Sequence, residues 1–251
     1  MSGLPAAGAD SAGPAADARE ARLKAQAQDR RERVMVAARS AFAERGLEGA
    51  SLREIAKRAG YTPGAIYSYF DSKEAVYGAL LGESLERLNA AVAQQLAAAA
   101  DAAGRSDPHS AGVRAGARAQ LRAGATAFFD YYLQNPGDLA LGFYLFNGLR
   151  PRGLTPGLNE RLNARLRDAW APVHRSLLQL GVTDDEAQTE IAALFAQVSG
   201  LLLLNHTGRM RMFRRESKAL FERYLDCLLA RAGRLPVKLL YTALSKSTNA
   251  G

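Results

Sequence analysis

Apolar positions recur every three to four residues along most of the chain, the period of an α-helix with one buried face. The pattern begins near Arg30, where Val34, Ala38, Ala41 and Phe42 fall on one side of a helix expected over 29–45. Gly46 follows as a candidate C-terminal cap. Ser51-Leu52-Arg53-Glu54 has the capping-box form, a hydroxyl at the cap and a carboxylate three residues on. It opens a short helix with Leu52, Ile55, Ala56 and Ala59 inward, closed by Gly60. Thr62-Pro63 pairs a cap residue with proline at the first helical position, so a third helix is expected over 63–70, with Ile66 and Phe70 inward.

Asp71-Ser72-Lys73-Glu74 starts a fourth helix, expected to reach about Ala100. After a loop over 101–111, further helices are expected over 113–135, 138–148, 157–180, 183–208 and 214–232. Asn135-Pro136-Gly137 and the stretch Pro151 to Pro156 separate them, and Thr183-Asp184-Asp185-Glu186 is a second capping box. Strand patterns are nearly absent, so the fold class is all-α. Residues 1–28 have almost no large apolar side chain and are expected to form a disordered arm. Residues 29–75 then form a small helical domain and 76–233 a larger one. The tail over 234–251 contains an apolar stretch, Leu235 to Leu244, that suits a short docked helix.

Composition narrows the function. A single cysteine cannot close an intrachain disulfide, and Cys227, His109, His174 and His206 are too scattered for a zinc cluster. No metal and no cofactor is expected. No uninterrupted apolar run approaches the ~20 residues of a membrane span, and the N-terminus lacks a signal peptide's apolar core. A cytoplasmic location without membrane attachment is the default expectation. The net charge is +8. Residues 22–73 alone hold 11 basic and 6 acidic side chains, a concentration suited to nucleic acid and equally to a solvated face.

Two short helices joined by Ala59-Gly60-Tyr61-Thr62 have the spacing of a helix-turn-helix, whose second helix enters the DNA major groove. Gly60 permits the turn. Small Gly64 and Ala65 allow close approach to DNA. Tyr67 and Tyr69 carry hydroxyls that can reach phosphates, and Arg53 and Lys73 flank the unit. The cap positions Ser51, Thr62 and Ser72 leave backbone N–H groups suited to phosphate.

The stretch from Val34 to Val76 resembles the DNA-binding domain of the TetR family of transcriptional regulators. Ala37-Ala38, Phe42 and Gly46 match its first helix, and the run from Ser51 to Glu74 matches the rest. The resemblance implies DNA contacts from Ser51 and Arg53 on the second helix. It implies others from Thr62, Pro63, Gly64, Ala65, Tyr67 and Tyr69 around the recognition helix, and a phosphate contact from Lys73. It further implies an all-helical homodimer on double-stranded operator DNA, and a C-terminal region whose small-molecule ligand releases the DNA. Pro63, Gly64 and Ala65 have no polar side-chain groups. Base reading would then rest on Arg53, the Thr62 hydroxyl, the tyrosines and apolar contact with thymine methyls.

Aromatic residues concentrate in the middle helices. Phe128, Tyr132, Phe143 and Trp170, with Asn147, His174 and Asn205 as polar partners, are candidate ligand-binding residues. The same aromatics would also serve as plain core. The resemblance implies that the last two long helices form the dimer surface, where Ile191, Leu194, Val198, Leu201 and Leu202, with Ala187 and Gly200 for close approach, make an apolar stripe on the first of them. Leu220, Tyr224, Cys227 and Leu228 are expected to do so on the second, Cys227 as a small buried residue. No phosphate loop, dinucleotide fingerprint, nucleophile elbow or HExxH motif occurs, so no catalytic residue is nominated. The leading expectation is a ligand-released repressor. The alternatives are control by a protein partner, or an all-α enzyme built on His174 or His206.

Overall fold

The computed structural model describes residues 14–103, 110–143 and 154–232. Its elements are α1 (Pro14–Gly49), α2 (Leu52–Ala59), α3 (Pro63–Tyr67), α4 (Lys73–Ala103), α5 (Ser110–Gln134), α6 (Pro136–Gly142), α7 (Pro156–Gln179), α8 (Asp184–His206), a 3-10 turn (Arg209–Phe213) and α9 (Ser217–Ala232). No strand occurs among the described residues. The chain divides into two compact units, Met1–Leu80 and Leu81–Gly251. Residues 1–13 of the expected arm, the end of the helix expected to reach 148, Asn147 and the whole 234–251 tail lie outside the described residues.

The arm expected to be disordered is helical from Pro14 onward. Its residues 17–30 are all exposed, so burial does not hold it. Ala, Arg, Glu, Gln and Lys are strong helix formers, and Glu20 and Lys24 pair at 2.6 Å one turn apart. Extending a helix already nucleated by the packed stretch from Val34 costs far less than starting one. The low hydrophobicity of the segment therefore foretold an absence of packing rather than an absence of helix.

In the first unit α1 packs on α2, and α2 on α3. Val34, Ala38, Ala41, Phe42, Ile55, Ala56 and Ile66 have almost no solvent exposure, with Phe70 close behind. The Phe42 ring meets Tyr77 edge-on at 5.8 Å. Gly46 breaks α1 near its end in a left-handed conformation (φ 69°), and Gly60 closes α2 at φ 77°, a value that strains any residue with a Cβ. Helix α3 stops at Tyr67, three residues short of the expected end. Ser68 Oγ donates to the Ala65 carbonyl at 2.7 Å and the chain turns there. Ser72 Oγ then accepts from the Ala75 N–H at 3.0 Å and caps α4.

In the second unit α5 packs most extensively on α7, and α8 lies against α7 and α9. Gly124 lets α5 and α7 approach closely, since a Cβ there would sit 3.2 Å from Val173 Cγ2. Thr183 and Glu186 form the expected reciprocal capping box at the start of α8. A buried carboxylate, Asp138 on α6, is held by Arg87 of α4 at 2.9 and 3.1 Å and by the Tyr131 hydroxyl of α5 at 2.5 Å. Burial, and the proton donated to that carboxylate, push the Tyr131 phenol above its ordinary pKa.

Candidate nucleic-acid interface and ligand region

Ile66 and Phe70, four residues apart, anchor α3 and the turn after it in the core of the first unit. Arg31 of α1 lies 5.9 Å from the centre of the Phe70 ring, a cation–π contact. The residues between the anchors face out. Tyr67 is 58% exposed and Tyr69 36%. Thr62, Pro63, Gly64, Ser51 and Arg53 are exposed as well, and Ala65 is half-buried. A Cβ built on Gly64 would meet nothing within 4 Å, so the fold itself does not require glycine there. The nine residues expected to contact DNA therefore lie on or beside α2, α3 and the start of α4, and eight of them make no ion pair among the described residues.

Lys73 is the exception. Its ammonium donates to the Glu48 carbonyl at 3.3 Å, with the Glu48 carboxylate 3.9 Å away. It ties the start of α4 to the end of α1. The Thr62 side chain makes no capping hydrogen bond, which leaves its hydroxyl available for other partners.

Arg58 is the hub of a network that sequence spacing did not reveal. Its guanidinium grips Glu44 of α1 at 2.7 and 2.8 Å and Glu54 of its own helix at 2.7 Å. Arg45 also reaches Glu54, at 3.1 Å. Hydrogen bonds from Arg58 and Ser40 lower the Glu44 pKa to about 2. The Ser51 cap is thus only half a capping box. Ser51 Oγ accepts from the Glu54 N–H at 3.2 Å, while the Glu54 carboxylate is drawn away to the arginines. The signal was present as Glu44, Glu54 and Arg58, but only the crossing of α1 and α2 brings them together.

In the second unit four of the proposed ligand residues do meet. Phe128 lies 5.1 Å from Tyr132 and 4.4 Å from Trp170, ring centre to ring centre. Phe195 of α8, missed at the level of sequence, touches Phe128, Phe143 and Trp170 at 6.0, 5.8 and 5.9 Å. Phe128 and Tyr132 are fully buried, and burial pushes the Tyr132 phenol well above its ordinary pKa. A cavity of about 40 Å³ between Tyr132, Phe143, Leu162 and Phe195 has room for little more than a water. A wider groove of about 510 Å³ runs between α7 and α8, past Trp170, His174, Ile191 and Phe195. Asn205 stands apart from the aromatics. Its side-chain oxygen accepts from Ser217 Oγ at 3.0 Å and joins α8 to α9.

The expected dimer stripe needs correction. Leu194, Val198, Leu201, Leu202 and Ala187 are buried within the second unit. The outward side of α8 carries Ala193, Ala196, Gly200 and Leu203, all exposed. On α9, Phe221, Leu225, Leu228 and Leu229 are core; Leu220 and Tyr224 are half-buried, and Cys227 is exposed rather than buried. Helix α8 is apolar on nearly every side, so its pattern does not distinguish the inner face from the outer one. By length and composition it is apolar enough to cross a membrane, although only 28% of its most apolar window is buried.

Two family models match. One, for bacterial regulatory proteins of the tetR family, covers residues 34–80. The other, the tetracyclin repressor-like C-terminal domain, covers residues 121–228. The chain belongs to the TetR family. This TetR-family chain is 41% identical over 63 residues to the transcriptional repressor BepR of Brucella suis, covering 25% of this chain and 30% of BepR. It is 33% identical over 103 residues to the transcriptional activator FasR of Mycolicibacterium smegmatis, covering 41% of this chain and 40% of FasR. These matches span less than half the length of either relative. Among solved structures, the transcriptional regulator FadR from Bacillus subtilis, in complex with stearoyl-CoA, aligns at a TM-score of 0.54 and 19% identity, covering 81% of this chain and 99% of that one. A tetR-family regulatory protein from Rhodococcus RHA1 aligns at 0.54 and 20% identity, covering 82% and 98%. At that identity the likeness is one of fold.

Proposed function

We propose that this TetR-family chain is a transcriptional regulator, a repressor, that binds a pseudo-palindromic DNA operator as a homodimer and is released by a small ligand. The observation that carries the DNA reading is the outward edge of α3. Tyr67 and Tyr69 are exposed beside open Gly64, while Ile66 and Phe70 hold the same segment in the core. A tyrosine left in water at 58% exposure gains little for the fold. On a phosphate backbone its hydroxyl has a partner. Ser51, Arg53, Thr62, Pro63, Gly64, Ala65, Tyr67, Tyr69 and Lys73 form the contact surface. Thymine methyls meet Pro63 and Ala65, and Arg53 and Thr62 supply polar readout.

The homodimer reading rests on α8 and α9. Small Ala193, Ala196 and Gly200 permit close helix approach, Leu203 is exposed on the same helix, and Leu220 and Tyr224 are half-buried on α9. An exposed apolar face on so hydrophobic a helix calls for a covering surface, and a second copy supplies an identical one by two-fold symmetry. The repressor BepR and the activator FasR show relatives of both signs. The ligand reading draws support from FadR of Bacillus subtilis, a shared fold described with stearoyl-CoA. A ligand releases DNA only if it binds the DNA-incompetent conformer more tightly. Regulation by binding, with no reaction catalysed, fits a cytoplasmic protein of this family.

The test is duplex selection from random sequence, followed by titration in increasing salt. Selective binding to a two-fold symmetric site, steeply weakened by salt, is the expected result. Binding of equal strength to any duplex would overturn it. Ala196→Glu should give a monomer by sedimentation and weaken operator binding by an order of magnitude or more. A variant that stays dimeric would remove α8 from the interface.

A further inference from the structure

The turn Arg209–Phe213 and the two residues after it read Arg-Met-Arg-Met-Phe-Arg-Arg. Met210 is buried and the turn packs on α8, so the segment has a fixed seat in the second unit. The rest of it faces water. Met212 is 77% exposed and Phe213 59%, and Arg209, Arg211, Arg214 and Arg215 are exposed on either side of them. None of the four arginines makes an ion pair or a side-chain hydrogen bond among the described residues. In the same unit Arg87, Arg122, Arg165, Arg167 and Arg231 are each paired with a carboxylate. Residues 207–216 hold the four arginines against one acid, Glu216. Arg214 is the one non-glycine residue of positive φ (49°) among the described residues. Glycine fits that conformation without strain, and an exposed arginine returns no packing for it.

We propose that this turn docks on the face of an anionic lipid bilayer, with Met212 and Phe213 entering the boundary of the acyl chains and the arginines held by headgroup phosphates. Arginine binds phosphate through two parallel N–H groups, and its long stem lets the charge stay at headgroup level while neighbouring apolar side chains go deeper. A bilayer meets both halves of the turn at one boundary. A duplex backbone offers phosphates but no apolar medium for Met212 and Phe213. A second copy of the chain would bring the same four arginines against these. Neither segment 144–153 nor 233–251 contains an Asp or Glu, so neither supplies the opposite charge. The contact is peripheral and reversible, since two apolar side chains and four charges adsorb a protein without spanning anything. It stands independently of the DNA and effector readings.

The test is co-sedimentation of the full-length chain with vesicles. The chain should partition onto vesicles of equal parts phosphatidylglycerol and phosphatidylcholine and stay in solution with phosphatidylcholine alone. Met212→Ser with Phe213→Ser leaves the charge unchanged and should weaken partition about tenfold. Arg211→Ser with Arg214→Gly keeps the apolar pair and should weaken it about 30-fold, roughly a factor of five per charge. All four side chains are exposed, and glycine suits the left-handed backbone at 214, so melting temperatures should hold. Absence of the natural chain from the mixed vesicles would overturn the proposal. Undiminished partition of the serine pair would also overturn it, because charge elsewhere on the chain would then drive adsorption. Monomer formation by the serine pair in sedimentation would give Met212 and Phe213 to a second copy instead. Weaker duplex binding by the arginine pair, with vesicle partition unchanged, would give the turn to nucleic acid. No vesicle readout involves DNA, so failure to select any duplex would overturn the regulator reading alone and leave these results standing.

Discussion

Tyr67 and Tyr132 each sit on or beside a helix, yet the first is 58% exposed and the second 1%. That contrast runs through the two units. In the first, the side chains proposed to act face outward from short helices held by two or three core anchors. In the second, aromatics of the same kind are turned onto one another around Phe128 and Phe195. An outward-facing contact surface must present particular groups at fixed places, so its residues leave a dense pattern in the sequence. An apolar interior accepts many combinations of similar volume and leaves a weak one.

The sharpest way to break the comparison is to remove an anchor. Phe70→Ala should destabilise the first unit by roughly 3–5 kcal/mol in chemical denaturation, the usual cost of emptying a buried phenylalanine site. The near-ultraviolet signal of Trp170, which lies in the second unit, should survive. Simultaneous loss of both signals would mean the units do not unfold separately.

The next test changes the outward surface alone. Gly64→Leu adds a side chain where a Cβ meets nothing within 4 Å, so the melting temperature should hold. Duplex affinity should fall by about 2–3 kcal/mol, roughly 30- to 150-fold, if DNA approaches the backbone there. Unchanged affinity would take Gly64 out of the interface.

Lys73→Ala should have a smaller effect. The slope of log affinity against log salt should drop by about 0.9, one phosphate's share. Since Lys73 also holds the Glu48 carbonyl, a stability loss of about 1 kcal/mol or less should accompany it. A stability loss with no change in slope would assign Lys73 to the fold only.

The smallest effect concerns Glu44, whose pKa falls from 4.5 to about 2 on folding. A depressed carboxylate stabilises the fold above its unfolded pKa and stops doing so as pH falls through its folded one. Glu44→Gln should therefore be less stable than the natural chain at neutral pH, and the gap should close between about pH 4.5 and 2. Because Glu44 is exposed, salt should narrow it further. A gap independent of pH would point to packing instead of charge.

The helix-turn-helix was legible because Gly60, Pro63 and the cap at Ser51 are local requirements of backbone geometry. The same locality explains the well-placed starts of α7 and α8, where Thr155 and Thr183 cap. What escaped was either non-local or degenerate. The Arg58 network joins residues 14 positions apart across two helices. The short turn Arg209–Phe213 fills the gap left between the helices expected over 183–208 and 214–232. Phe195 reads as one apolar residue among many until α8 is laid against α5 and α7. The inner and outer faces of α8 are both rich in alanine and leucine, so only packing could tell which side was spare, and with it that Cys227 is exposed. The helical run from Pro14 was hidden by a composition that lacks apolar residues but is rich in helix formers.

Exposed Cys227 has a practical consequence. It is the chain's only thiol, and it lies one turn from Tyr224 on the proposed two-fold surface. If that surface is covered in the dimer, a thiol reagent reaches the sulfur only while the protomers are apart. The rate of modification then measures how often they separate, and its dilution dependence gives the lifetime of the pair. One unpaired cysteine thus provides a clock for protomer exchange that needs no added label and no DNA.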